Sequence, residues 1–196
     1  AQRTLVERMA RRTAAERAEA IGAITPALVA LVKRREVDAI GLDPGAIHAL
    51  WTLENLGLLG EKADVVVLDA ARRALSHPSA GVRLNAVRVL PRDEATLVAC
   101  DRAGLGDDPA ALVRLVLLEA LSECPPGDLA GGMVLRLLRD PRTLADPILA
   151  DAATAAAAVQ SGTVLPGLLE GERAALVAPA SVLGLLAADP PPSPRL

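Results

Sequence analysis

The sequence predicts an all-α chain, an α-solenoid of about four to five stacked helix pairs, and three observations carry that prediction. Apolar residues recur at helical spacing along nearly the whole chain, bounded by turn residues. The chain is 52% hydrophobic yet holds no Phe, no Tyr and one Trp, so Leu, Val and Ala must fill the core, and these favour close-packed helices over aromatic-rich paired strands. Asp-Pro turns or near relatives return every 31 to 34 residues.

Taken in order, residues 2 to 20 read as a helix with Leu5, Val6 and Met9 on an apolar face and mixed charges on a solvated one. Thr25-Pro26 opens a second helix, which ends in Lys33-Arg34-Arg35, three cations that suit the negative end of a helix dipole. The clearest helix signal follows. Asp43 can cap an N-terminus and Pro44 suits the first helical position, so a helix starts there and runs to Leu59-Gly60. It is apolar on more than one side, and such a helix needs neighbours on both.

The next helix spans about Asp64 to Leu75, with Val66, Val67, Leu68, Ala71 and Leu75 inward. Ser76 to Gly81 forms a turn, in which His77 reads as exposed, and a helix carrying Val82, Leu84, Ala86, Val87 and Leu90 stops before Pro91. Glu94 to Gly104 and Ala110 to Glu123 are helices separated by a turn through Asp108-Pro109. Gly127 to Gly132 is a weak glycine cluster near a helix start and reads as a turn, not a phosphate cradle, since neither P-loop nor dinucleotide spacing occurs. An Ala-rich helix covers Ile148 to Val159, two weaker helices fall within Thr163 to Ala188, and Asp189 to Leu196 is a Pro-rich tail. The domain reading is therefore 1–188 for the helical repeats, with the last pair divergent, and 189–196 for the tail.

A shift of 31 lays Ser76, Pro78, Val82, Arg83, Leu84, Val87 and Leu90 over Asp107, Pro109, Val113, Arg114, Leu115, Leu118 and Leu121. Asp43-Pro44 lies 34 residues before His77-Pro78, and Asp140-Pro141 lies 32 after Asp108-Pro109. The unit of apolar helix, Asp-Pro turn and second helix opening in Val-Arg-Leu resembles the HEAT family. That resemblance implies structural roles for Asp43, Pro44, Pro78, Arg83, Asp108, Pro109 and Arg114, the turn and the arginine together holding paired helices.

Two stretches are similar to something narrower. Ala1 to Arg8 and Ile47 to Gly57 resemble the HEAT section of large secreted bacterial proteins described as PVC-type haem-binding proteins or putative membrane-bound dehydrogenases. In that family a β-propeller precedes the repeats and a cytochrome c module with Cys-x-x-Cys-His follows. The resemblance covers about residues 1 to 160 and implies a piece of a longer periplasmic or secreted redox protein, an expectation that the capless N-terminal helical pattern shares. The haem motif is not in this sequence, so no cofactor is expected in this domain.

Other chemistry is poorly supported. The net charge is −3, with 21 basic and 24 acidic residues interspersed, which together with the lack of aromatic stacking residues argues against nucleic acid. No apolar run reaches the ~18 to 20 residues of a membrane span. Two histidines without metal spacing make zinc a poor fit, and no nucleophile elbow or acid/base pair is legible, so no catalytic or metal residue is assigned. Cys100 and Cys124 are expected to be free and buried. Hairpin geometry leaves Cys124 about ten residues beyond the position facing Cys100, roughly 15 Å away and outside the ~4.4 to 6.8 Å of a disulfide.

His48, Trp51 and Asn55, at i, i+3 and i+7 of one helix, form the candidate interaction surface. The expected function is a non-catalytic helical-repeat scaffold that meets a protein partner or adjacent domains of its parent chain. The alternative is a tetrapyrrole-handling lyase or chaperone resembling the HEAT-like bilin lyases, whose pocket would want Arg, Asp or Tyr; tyrosine is absent here.

Overall fold

The computed structural model describes Thr4, Glu7 and residues 13–60 and 63–171. Among them the regular structure is all helical, with ten α-helices, two short 3-10 helices and no strand. The contacts divide it into two compact units, Ala1–Leu117 and Leu118–Leu196.

The first unit opens with α1, Ala14–Lys33, whose start is a capping box: the Thr13 hydroxyl accepts from the Glu16 N–H while the Glu16 carboxylate accepts from the Thr13 N–H. Of the helix expected over 2–20, residues 2, 3, 5, 6 and 8–12 lie outside the described residues. The expected break at Thr25-Pro26 is absent, because Pro26 sits inside α1. Its missing N–H forfeits the bond to the Gly22 carbonyl, but Gly22 is exposed and its carbonyl can turn to water. Thr25 does not cap; its hydroxyl donates back to the Ile21 carbonyl at 2.7 Å.

Helix α2 is Pro44–Asn55, capped by Asp43, whose carboxylate accepts from the Ala46 N–H at 3.0 Å. It ends one turn earlier than expected, because Gly57 adopts φ +76° and turns the chain so that the Leu58 N–H donates to the Leu53 carbonyl at 2.9 Å. Ala46, Ala49, Leu50 and Leu53 are all but fully buried. Each fully buried leucine contributes on the order of 2 kcal/mol of hydrophobic stabilisation.

Helices α3, Val65–Arg73, α4, Ala80–Val89, and α5, Glu94–Arg102, complete the regular part of the unit, with 3-10 turns at Ala74–Ser76 and Leu105–Asp107. Val66 points outward, contrary to the expected inward face, and is 56% exposed. The register of α3 is set by Val67, Ala70, Ala71, Ala74 and Leu75, whose 3.6-residue stripe leaves Val65 and Val66 on the solvent side. Helix α1 packs on α2 and α3, α3 packs on α5, and α2 packs on α4. The packing thus links alternate helices, α1 to α3 to α5 and α2 to α4. Helix α6, Ala111–Glu123, contains the division between the units.

In the second unit, α7, Asp128–Arg139, packs on α8, Pro141–Ala145, α9, Pro147–Val159, and α10, Ser161–Gly171. The helix start expected near this cluster is at Asp128, after the cap Gly127, and Gly131 and Gly132 lie inside α7 and not in a turn. Gly131 leaves room for a close approach: a Cβ there would stand 2.4 Å from the Thr163 Cβ of α10. Helices α9 and α10 meet at 107°. At their corner Gln160, 1% exposed, donates from Nε2 to the Leu121 and Cys124 carbonyls at 3.1 and 3.2 Å and accepts the Gly127 N–H at 3.0 Å. The second weak helix expected before Ala188 and the tail from Asp189 lie outside the described residues. No single helix is long and apolar enough to cross a membrane among the described residues.

Candidate functional site

The turns that join the helices of the first unit form a polar seam. Arg34, the residue after α1, reaches the Asp43 carboxylate with Nε at 3.3 Å and with Nη2. Asp43 is 1% exposed, and burial works to raise its pKa, but the hydrogen bonds from Arg34 and the Ala46 N–H, with the Arg34 charge, hold it below the usual aspartate value. The same bond to Asp43 raises the pKa of Arg34. Two of the three cations expected at the end of α1 are therefore engaged: Arg35 also donates, to the Ser76 carbonyl at 2.8 Å.

His77 is buried, 2% exposed, which corrects the expectation of an exposed turn residue. Position 77 falls over Asp43 under the 34-residue shift and over Asp108 under the 31-residue shift, and both of those aspartates are buried too. Its ring bonds backbone on both sides, to the Arg34 carbonyl at 2.8 Å and from the Ser79 N–H at 3.0 Å, and Nε2 stands 3.8 Å from Asp43. Desolvation lowers its pKa, outweighing the Arg34 carbonyl and Asp43, with the Arg35 and Arg83 charges adding to the lowering.

Arg83 of α4 continues the seam. Its Nε and Nη2 meet Asp108 bidentately at 2.6 and 2.8 Å, and Nη1 donates to the His77 and Pro78 carbonyls at 2.8 and 2.9 Å. Arg114, 4% exposed, donates from Nη1 to the Asp108 carbonyl at 2.6 Å. The bond from residue 83 to the carbonyl of 77 recurs, 31 residues on, as the bond from 114 to 108. Pro44 is the first residue of α2, whereas Pro78 and Pro109 each stand two residues before their helices and are exposed.

On α2, His48 and Asn55 are exposed and flank Trp51, which is half-buried. The Trp51 indole N–H donates to the Asn85 Oδ1 at 2.8 Å, and Asn85 donates in turn to the Gly81 carbonyl at 2.7 Å. Asn55 donates to the Trp51 carbonyl at 2.6 Å. Asn85 is the residue that sequence reading missed. It lies 34 positions beyond Trp51, on α4, and that spacing could have found it.

Two clefts open between alternate helices. One, of about 440 Å³, lies between α1 and α3 and is mostly apolar, with Pro26, Val29, Val66 and Val67 in its walls. The other, of about 380 Å³, lies between α3 and α5 and is lined by Asp69, Arg72, Arg73 and Arg102 around Val98 and Ala99. The candidate surface read from sequence, His48, Trp51 and Asn55, is on α2; these clefts are on α1, α3 and α5.

Cys100 and Cys124 are buried thiols that form no disulfide. Among the described residues no three His, Cys, Asp or Glu side chains gather into a metal-binding group. No family model, no curated protein and no solved structure matches the chain.

Proposed function

We propose that this chain is a HEAT-like α-solenoid serving as a non-catalytic scaffold, which meets a protein partner or neighbouring domains of a longer parent through exposed helix faces. The observation that carries the reading is the recurring connector: Arg83 to the His77 carbonyl and Arg114 to the Asp108 carbonyl, one repeat apart. Such a seam spends the polar side chains of the turns on holding helix pairs together. Function then falls to the helix faces, as in other repeat proteins.

Trp51, with its N–H already bonded and its ring half-buried between His48 and Asn55, is a rigid apolar body with polar neighbours, the composition of a binding hot spot. The test is photo-cross-linking in the full gene product in its native cells, with p-benzoylphenylalanine at position 48 or, as control, at the exposed loop position 40. A discrete product from position 48, mapping to one partner or one other domain, is expected. Identical patterns from both positions would contradict the reading.

A further inference from the structure

The cleft between α3 and α5 is cationic in a chain whose net charge is −3. Three arginines line it against one carboxylate, Asp69. Their situations differ. Arg72 is committed, with Nη2 at 3.1 and 3.3 Å from the two Asp93 oxygens and Nε at 3.5 Å from the Thr96 hydroxyl. Asp93 in turn caps α5 by accepting from the Thr96 N–H at 2.7 Å, so this arginine fastens the wall of the cleft. Arg73 and Arg102 are exposed, and among the described residues neither side chain makes a hydrogen bond or ion pair. Arg35 adds a further cation at the same end, bonded to the carbonyl of Ser76, which also lines the cleft.

Two uncommitted guanidiniums beside an apolar floor of Val98 and Ala99 make a surface with a definite complement. Arginine forks match carboxylates in pairs, and an aliphatic side chain between two acids would cover the floor. We propose that the α3–α5 cleft docks an acidic, leucine-bearing peptide segment of a partner protein, with carboxylates on Arg73 and Arg102. This rests on the scaffold reading and names the partner chemistry for a second face of it. A nucleic-acid strand fits less well, because the cleft has no aromatic side chain on which a base could stack.

The test is fluorescence anisotropy at low ionic strength with a labelled peptide, Asp-Glu-Leu-Glu-Asp-Leu-Glu-Glu, and the whole chain. Saturable binding is expected, weakened about tenfold or more in Arg73→Glu/Arg102→Glu and changed less than about twofold in Arg17→Glu/Arg88→Glu, which alters net charge equally on exposed sites elsewhere. All four positions are exposed, and an unchanged helical circular dichroism spectrum checks the fold. Absent binding, equal losses in both double variants, displacement by equimolar inorganic phosphate, or tighter binding of a single-stranded DNA oligomer at the same arginines would each overturn the proposal. Failure here with the position-48 cross-link intact removes the cleft alone; loss of that cross-link removes the scaffold reading.

Discussion

His77 bridges two stretches of backbone, donating from Nε2 to the Arg34 carbonyl at 2.8 Å while Nδ1 accepts the Ser79 N–H at 3.0 Å. A backbone N–H can only donate, so Nδ1 carries no proton and the ring is the neutral Nε2–H tautomer. Adding a second proton would set two N–H groups against each other in a buried turn.

The pH dependence follows in sign. The His77 pKa is lowered in the folded chain from 6.5, so the unfolded chain binds the proton first. The stability it contributes is complete above about pH 6.5 and is lost as pH falls from there through the folded value. Urea denaturation at pH 7.5 and 5.5 should show the wild-type chain weaker at the lower pH. His77→Ala should lose roughly 2 to 4 kcal/mol at pH 7.5, for the cavity and the two orphaned backbone groups, and lose most of the pH difference. An unchanged pH difference in the variant would refute this role.

Gln160 holds the corner between α9 and α10 as donor and acceptor at once. Gln160→Glu keeps the acceptor for the Gly127 N–H but turns a carboxylate oxygen toward the Leu121 and Cys124 carbonyls. A loss of roughly 2 to 4 kcal/mol at pH 7 is expected by chemical denaturation, part of it recovered at pH 4 when the acid can donate again. A neutral effect at pH 7 would show that the corner is held by packing alone.

Adjacent glycines in α7 should respond oppositely to alanine. Gly132 has open space where a Cβ would go, so Gly132→Ala should stabilise by about 0.5 to 1 kcal/mol through helix propensity. Gly131→Ala drives a methyl to within 2.4 Å of the Thr163 Cβ and should destabilise by about 1 to 3 kcal/mol. Thermal melts of both variants check the pair, and equal shifts would mean that α10 does not approach α7 here.

How much of this was legible depended on whether the cause was local. Asp43 and Pro44 announce a helix start because a cap and its first turn are neighbours in sequence, and Arg83 and Arg114 stood out because a shift of 31 aligns them. His77 was misread because Ser-His-Pro-Ser is a polar turn by composition; its burial comes from Arg34 and Asp43, more than thirty residues away. Pro26 gave a false boundary because propensity is weaker than the packing of α1 against α2 and α3. Gly131 looked like a turn because the neighbour it makes room for, Thr163, is on another helix. The clefts between alternate helices arise only when non-adjacent elements meet, which no local pattern encodes.

The Arg83–Asp108 connector ties α4 to the turn before α6. A double-mutant cycle on Arg83 and Asp108 tests it most directly, using Arg83→Met and Asp108→Asn so that the Ala110 N–H keeps its acceptor. The two side chains are 13% and 4% exposed and bonded bidentately, so a coupling of about 1.5 to 3 kcal/mol is expected by urea denaturation. A coupling below about 0.5 kcal/mol, the level of an ordinary surface pair, would contradict the account.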